Sequence, residues 1–229
     1  MDTYGGKAEG WGMRILILAP HTDDGEFGCG ASIAKYVAEG HEVHYVAFSA
    51  AEKSVPLGSP IGILRQEVVE ATAVLGIPKE NLTVLHFGVR KFPARRQEVL
   101  DVLVRLNSQL EPDMVYQPST ADTHQDHDTV AAEGFRAFKR TSIFGYELPW
   151  NNLTFTTSAF VMVEEEFIEK KIQALACYKS QAERPYANPE FVRSLARVRG
   201  TQIGVQYAEA FEAIHVIRKG SGQARFVEA

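Results

Sequence analysis

Short apolar runs alternate with amphipathic segments over the first two thirds of the chain. The first run, RILILAP at 14–20, is apolar at nearly every position, which is typical of a strand buried on both faces of a parallel sheet. Four further runs predict strands. They are HEVHYVAFS (41–49), LTVLHF (82–87), DMVYQP (113–118) and SIFGYE (142–147). Strict alternation of strands and helices favours a doubly wound, mainly parallel α/β sheet with helices on both faces.

The segments between these runs carry apolar residues at helical spacing. They are ASIAKYVAEG (31–40), LRQEVVEATAVLGI (64–77), ARRQEVLDVLVRLNSQLEP (94–112) and HDTVAAEGFRAFKR (127–140). Gly40 and Gly76 end the first two helices, because glycine readily takes the left-handed conformation of a helix C-cap. The Gly-rich stretch GEFGCG (25–30) precedes the first helix, and we expect it to form a tight turn.

Beyond Pro149 the rhythm of the sequence changes. The pattern there predicts a strand-like piece LTFTTSAFVMV (153–163), an acidic helix (164–177), a second helix (190–199) and a last strand FEAIHVI (211–217). No change of composition marks a domain boundary. We therefore predict one domain, residues 1–219, whose C-terminal part extends the sheet, followed by a flexible tail at 220–229.

Composition and charge narrow the class of protein. The chain has 229 residues, of which 45% are hydrophobic and 23% charged, as in a soluble single-domain protein. A formal net charge of −5 argues against nucleic acid as a partner. The 2 cysteines offer no structural zinc set and at most one disulfide, which favours a reducing compartment. With neither a signal peptide nor a membrane-spanning run in view, we expect a cytoplasmic protein with no membrane partner.

Two polar clusters follow predicted strands. HTDD (21–24) comes directly after the first strand, and HQDH (124–127) follows the fourth strand by a short loop and opens a helix. Strands of an open α/β sheet place their carboxyl ends along one crevice, so we expect the clusters to meet there. Imidazole and carboxylate are the ligands of a catalytic zinc ion or of another divalent transition metal.

The clusters contain enough groups for a hydrolytic metal site. A catalytic zinc ion takes three protein ligands and keeps a position open for water; His21, Asp24 and His127 can supply them. Neighbouring side chains diverge, so one of Asp23 and Asp24 binds metal while the other is free to accept a proton from water. His124 lies three residues before His127, so one of the two can bind the metal while the other points at a substrate oxyanion. The set describes hydrolysis of an acyl bond.

The acidic residues also have a structural interpretation. Asp23 or Asp24 can cap the first helix, and Asp126 or Asp128 can cap the fourth, because short acidic side chains favour helix N-termini. Asp126 is equally a helix cap or a partner that orients a metal ligand.

The motifs together resemble the LmbE-like or PIG-L de-N-acetylase family, whose signatures are a PHPDD-type and an HxDH-type loop. The resemblance rests on PHTDD, GEFGCG and HQDH, and continues through GHEVHYVAFSA, LRQE, CYKSQ, EFVRSLARVRG and QYAEAFEAI. It implies a Rossmann-like sheet and a bound zinc ion. It also implies that the ligands are His21, Asp24 and His127, that Asp23 is the general base, and that His124 stabilises the tetrahedral intermediate.

The resemblance further implies a substrate class and an assembly. The most similar members are short bacterial proteins, some of which deacetylate N-acetylglucosamine-containing conjugates such as bacillithiol precursors; several similar proteins form trimers or hexamers. Arg65 is the counterpart of a residue thought to bind a sugar hydroxyl or phosphate; the structural alternative is an ion pair with Glu67 or another neighbour. The chain departs from the PHPDDE pattern at Thr22 and Gly25, with Glu26 one place later.

We therefore expect a zinc-dependent hydrolase that removes the acetyl group from an N-acetylated amino sugar, and a homo-oligomer. One alternative is a metal-dependent hydrolase of a non-sugar N-acyl substrate. The other is a non-catalytic sugar- or nucleotide-binding module, although GEFGCGA lacks the full G-x-G-x-x-G pattern of a dinucleotide loop.

Overall fold

The computed structural model describes residues 12–52, 55 and 60–218. Within them the strands are β1 (Arg14–His21), β2 (Glu42–Ser49), β3 (Leu82–Val84), β4 (Met114–Pro118), β5 (Ser142–Tyr146), β6 (Ala159–Met162) and β7 (Ala208–His215). The helices are α1 (Asp24–Ala38), α2 (Ile63–Val74), α3 (Arg96–Leu110), α4 (Gln125–Ala137), α5 (Glu165–Ala176) and α6 (Pro189–Gln202). The predicted tail at 220–229 lies outside the described residues.

The strands form one sheet in the order β3-β2-β1-β4-β5-β7-β6. The pairs from β3 to β5 are parallel, whereas β7 pairs antiparallel with both β5 and β6. The prediction of a mainly parallel α/β sheet with a C-terminal extension is confirmed. The chain runs outward from β1 through β2 to β3, then returns to β4 on the other side of β1. This reversal creates a crevice beyond the carboxyl ends of β1 and β4, where open α/β sheets bind ligands.

Strand β1 lies at the centre of the sheet, and its apolar sequence follows from that position. Residues 15–19 are fully buried. Alternate side chains point to opposite faces, so Ile15 and Ile17 join the core beneath α1, α2 and α5, while Leu16 and Leu18 join the core beneath α3 and α4. Burying each such side chain contributes about 1.5–3 kcal/mol. The strand thus anchors His21 firmly at its carboxyl end.

The Gly-rich stretch at 25–30 is helical, so the prediction of a tight turn is wrong. Helix α1 already begins at Asp24, and the glycines serve close packing instead. A Cβ atom on Gly25 would lie 2.5 Å from the Tyr45 ring, and one on Gly28 would lie 2.3 Å from the Tyr146 ring. The first turns of α1 therefore pack directly against β2 and β5. By contrast, Gly40 has the positive φ, 83°, expected of a helix end.

Helix α1 is kinked at Cys29, and a buried ion pair bridges the kink. Lys171 Nζ, from α5, donates to the Phe27 carbonyl at 2.6 Å and to Glu209 Oε1 at 2.6 Å. The Glu209 carboxylate accepts from the backbone N–H of Ala31 at 3.2 Å and of Ser32 at 2.7 Å. The pair thus satisfies a carbonyl before the kink and two amides after it, as separate caps would.

The C-terminal part differs from its predicted extent. Residues 153–158 form no strand, and β6 is confined to Ala159–Met162. Strand β7 begins three residues earlier than predicted, because it must pair with both β6 and β5. Cys29 and Cys177 are both free thiols. Among the described residues, the helices are too short or too polar to span a bilayer.

Candidate active site

Both predicted clusters meet in the crevice at the carboxyl ends of β1 and β4. His21 is the last residue of β1, and Asp24 is the first residue of α1. His124 is the N-cap of α4, and His127 lies in its first turn. Residues that are about 100 positions apart in sequence are therefore in direct contact.

Three candidate ligand atoms, from His21, Asp24 and His127, form a nearly equilateral triangle. His21 Nδ1 lies 3.1 Å from His127 Nε2, and each nitrogen lies 3.2 Å from Asp24 Oδ2. Zinc–ligand bonds of 2.0–2.1 Å at tetrahedral angles separate neighbouring ligand atoms by roughly 3.3 Å. The side chains of His21, Asp24 and His127 therefore fit a divalent metal ion with one face of its coordination sphere open.

The outer nitrogen of each histidine is held by a carboxylate. His21 Nε2 donates to Asp126 Oδ2 at 3.1 Å, and His127 Nδ1 donates to Asp122 Oδ2 at 2.8 Å. In the neutral rings these bonds place the proton on the outer nitrogen, so that the inner nitrogens, which face Asp24, are the ones that can bind a metal ion. Asp126 also accepts from the backbone N–H groups of residues 90 and 92, so it orients His21 and does not cap α4.

Asp122 was missed by the sequence reasoning. It stands two residues before HQDH and contacts this run twice, since its Oδ1 accepts from the His124 backbone N–H at 2.8 Å. The usable signal was chemical: a metal-binding histidine almost always donates its other N–H to a carboxylate or carbonyl, and Asp122 is the acidic residue nearest to His127 outside HQDH on the N-terminal side.

Mutual electrostatics hold the three ligand groups in place. Burial lowers the pKa of His21, but the charge of Asp24 and the bond to Asp126 outweigh burial and raise it to about 9. His127 behaves in the same way, with its pKa raised to about 10 by Asp24 and Asp122 against the effect of burial. Burial opposes ionisation of Asp24, yet the charges of His127 and His21 hold its pKa well below its usual range. The pocket thus favours a carboxylate opposite a positive charge.

Asp23 has a different environment from Asp24, although the two are adjacent. Burial and the neighbouring Asp24 charge raise the pKa of Asp23 to about 6. Its side chain lines the same cleft as the histidines. A carboxyl with a pKa close to neutrality can both accept and return a proton.

His124 presents a donor to the cleft. Its Nδ1 accepts from the Asp126 backbone N–H at 3.2 Å, so the proton of the neutral ring lies on Nε2. Burial and the nearby His127 and His21 lower the pKa of His124, which keeps the ring neutral. Ligand atoms of the three histidines lie within 4.8 Å of one another, a set that can hold a metal ion. The protonated Nε2 nevertheless makes Asp24 the better third ligand.

Two buried tyrosines support the backbone between His21 and Asp24 from the interior of the protein. Tyr45 and Tyr178 each contact the Thr22 carbonyl, at 2.8 and 2.7 Å, and both contact the Glu26 carboxyl group. Burial raises the pKa of Glu26 to about 8, although the two phenols act to lower it. Glu26 is therefore an internal group that supports the loop and does not face the cleft.

The cleft itself has a volume of about 340 Å³, a size suited to a small-molecule ligand. One side is formed by the histidines and aspartates. The other lining residues are the apolar Ala51, Leu64 and Val89, an aromatic wall of Phe27, Trp150 and Tyr186, and the polar Asn151, Gln181 and Arg184. The reaction centre thus shares the cleft with apolar, aromatic and a few polar side chains.

Arg65 lies beside this cleft. Its Nη groups donate to the carbonyls of Val84 and Leu85 and contact His86, and its Nε donates to Glu52 at 3.2 Å. The carboxylate of Glu67 instead accepts from Ser180. Arg65 lines a smaller pocket that shares residues 51 and 89 with the main cleft.

Two other buried glutamates have structural partners. Glu147 forms a two-pronged ion pair with Arg199, and Glu209 bridges the α1 kink as described above. Tyr207 lies under the guanidinium of Arg197, which is 5.3 Å from the ring centroid.

An open α/β sheet with a His–Asp–His cluster at its crevice is an arrangement suited to metal-assisted hydrolysis. Residues 16–138 match the family model PIG-L, described as GlcNAc-PI de-N-acetylase. The chain belongs to this family, and the predicted membership is confirmed. It is therefore an enzyme of the deacetylase class, which hydrolyses amide bonds.

Individual relatives agree with this placement. The chain is 29% identical over 174 residues to the uncharacterized deacetylase YaiS of Escherichia coli, covering 72% of this chain and 90% of YaiS. It is 24% identical over 225 residues to the diacetylchitobiose deacetylase of Thermococcus kodakarensis, covering 88% and 83%. The crystal structure of the conserved protein TT1542 from Thermus thermophilus superimposes with a TM-score of 0.72 at 28% identity, covering 93% and 100%.

Proposed function

We propose that this chain removes the acetyl group from the nitrogen of an N-acetylated amino sugar by metal-dependent hydrolysis. The triangle of His21, Asp24 and His127 carries the proposal, because its 3.1–3.2 Å edges fit a divalent ion. Membership of a de-N-acetylase family supports an amide as the bond that is hydrolysed. The diacetylchitobiose deacetylase relative supports a sugar as the substrate.

His21, Asp24 and His127 would hold the ion, which is Zn²⁺ or another divalent transition metal. When bound, such an ion polarises a carbonyl group and lowers the pKa of water in its coordination sphere. Asp122 and Asp126 keep the two imidazoles in the tautomers that binding requires.

Asp23 is the candidate general base. Its pKa of about 6 leaves it ionised at neutral pH, ready to accept the proton of the attacking water. The resulting carboxylic acid then returns this proton to the departing nitrogen, because an amine leaves only after protonation. Acetate and the free amino sugar result, and Asp23 ends in its starting state.

His124 is the candidate for stabilising the developing oxyanion. Its Nε2–H faces the cleft because Nδ1 is occupied by the α4 backbone. A donor already aimed at the position where negative charge develops needs no reorganisation during the reaction. Arg65 is retained as a candidate substrate contact at the edge of the cleft, where its pocket joins the main one.

Acetate release from a panel of N-acetylglucosamine, its oligomers and N-acetyl amino acids tests the proposal. The metal-loaded protein is expected to release acetate from the sugars, and the chelator-stripped protein is not. Release from N-acetyl amino acids alone would favour the non-sugar alternative. Absence of release from any compound, with no metal bound, would favour a binding module.

A further inference from the structure

The aromatic wall lines the cleft, and two of its three residues, Trp150 and Tyr186, lie beyond residues 16–138, which match the family model. Trp150 and Tyr186 stack face to face, with ring centroids 3.8 Å apart and an interplanar angle of 11°. The ring of Phe27 meets both edge-on, at 5.2 Å from each centroid. Trp150 is nevertheless 37% exposed, and it lines the cleft together with Tyr186.

The aromatic wall is joined to the reaction centre along helix α1 and through hydrogen bonds of Thr123. Phe27 follows Asp24 by three residues on α1. The carbonyl of Asn151, next to Trp150, accepts from the backbone N–H and the hydroxyl of Thr123 at 3.1 and 2.8 Å. Thr123 precedes His124, so these two hydrogen bonds join the segment that carries Trp150 to the segment that carries the candidate oxyanion donor.

Planar polar groups border the aromatic wall. Gln181 and Arg184 both line the cleft. Gln181 is buried; its Oε1 accepts from Arg184 Nε at 3.2 Å, and its Nε2 donates to Ser180 Oγ at 3.3 Å, so it holds the guanidinium in place. Among the described residues no carboxylate lies within ion-pair distance of Arg184, in contrast to Arg193 and Arg199, which both pair with glutamates. The Nη groups of Arg184 are therefore available to a ligand in the cleft.

We propose that Trp150, Tyr186, Gln181 and Arg184 form a subsite for a second sugar ring, attached to the acetylated one. A pyranose ring has an apolar C–H face and a rim of hydroxyl groups. A flat aromatic surface buries such a face, and planar amide and guanidinium groups bond to adjacent hydroxyls. This proposal rests on the proposed function. It specifies the substrate as oligosaccharides of N-acetylated amino sugars, in preference to the monosaccharide.

Trp150 allows the subsite to be tested by binding as well as by turnover. The chain has two tryptophans, Trp11 and Trp150, so Trp11→Phe leaves a single fluorescent reporter in the proposed subsite. In a background with Asp23→Asn, which prevents turnover, N,N'-diacetylchitobiose is expected to change the emission at a concentration at least tenfold lower than N-acetylglucosamine does. Equal concentrations for the two sugars would overturn the proposal.

Measurements of turnover give a second, independent test of the subsite. With Asp23 intact, Trp150→Ala is expected to lower the ratio of kcat/KM for the disaccharide to that for the monosaccharide at least tenfold, and Trp150→Phe to retain most of it. Phe135→Ala removes another exposed aromatic residue, which lies outside the cleft, and serves as the matched control. An unchanged ratio in Trp150→Ala refutes the subsite while leaving the deacetylase proposal intact. Disaccharide-specific fluorescence without any acetate release refutes the deacetylase proposal while supporting the subsite.

Discussion

Asp122 offers a sharp perturbation of the candidate metal site, because one substitution reverses the direction of one hydrogen bond. Its Oδ1 accepts from the His124 backbone N–H, and its Oδ2 accepts from His127 Nδ1, both at 2.8 Å. In the Asp122→Asn variant the side chain has only one oxygen, and this oxygen continues to accept from the His124 backbone N–H. The amide NH₂ group then faces His127 Nδ1, which must become an acceptor.

In the neutral His127 ring this reversal places the proton on Nε2, the atom that lies 3.2 Å from Asp24 Oδ2. A protonated nitrogen cannot bind a metal ion. Loss of such an outer partner typically weakens metal binding about 10- to 100-fold, which corresponds to about 1.4–2.8 kcal/mol. We expect the loss of zinc affinity in Asp122→Asn to lie in this range. The free energy of unfolding of the metal-free protein should change little.

Competition with a chromogenic chelator at pH 7 measures the change in zinc affinity directly. Asp101→Asn is the matched control, since Asp101 is an exposed residue of α3, outside the cleft, whose carboxylate accepts from Gln97 Nε2 at 2.7 Å. Circular dichroism establishes that both variants are folded. Zinc affinity of Asp122→Asn within twofold of the parent protein would refute the assigned tautomer of His127 and the role of Asp122.

Three further predictions concern the supports of the site. Tyr178→Phe removes a donor to the buried loop before α1 and is expected to lower the free energy of unfolding by about 1–3 kcal/mol in urea titrations; no loss would mean that the phenol is not needed there. Lys171→Met leaves the Glu209 carboxylate buried without its cation and is expected to lower the free energy of unfolding by about 3–5 kcal/mol. The double variant Lys171→Met/Glu209→Gln should recover part of this loss. Equal stability of the single and double variants would contradict the bridging role. Burial raises the pKa of both thiols, most strongly for Cys29, which is fully buried. Ellman's reagent should therefore titrate only Cys177 before unfolding. Two rapidly reacting thiols in the native protein would show that the α1 interior is accessible.

The sequence was informative where one physical rule governs a whole segment. A strand with neighbours on both sides and helices on both faces must be apolar throughout, and residues 15–19 show this directly. The two polar clusters could be placed together because parallel strands end along one crevice. Neither inference needs knowledge of side-chain contacts.

Sequence reasoning failed where contacts between distant segments decide the outcome. Glycines at 25 and 28 indicated a turn, whereas the rings of Tyr45 and Tyr146 require small residues inside a helix. Tyr178 and Lys171 support the first turns of α1 from more than 140 positions away. Such partners carry no local signal, because their roles arise only after the sheet brings them to α1.

The most direct test of the account is a titration of the chelator-stripped protein with Zn²⁺ during acetate release from N,N'-diacetylchitobiose. We expect no release without metal, a linear rise with added zinc, and a break at one equivalent per chain. Asp23→Asn should bind the same equivalent and release almost no acetate, whereas His127→Ala should lose both properties. Acetate release by stripped protein that contains no metal, or full turnover by Asp23→Asn, would contradict the account.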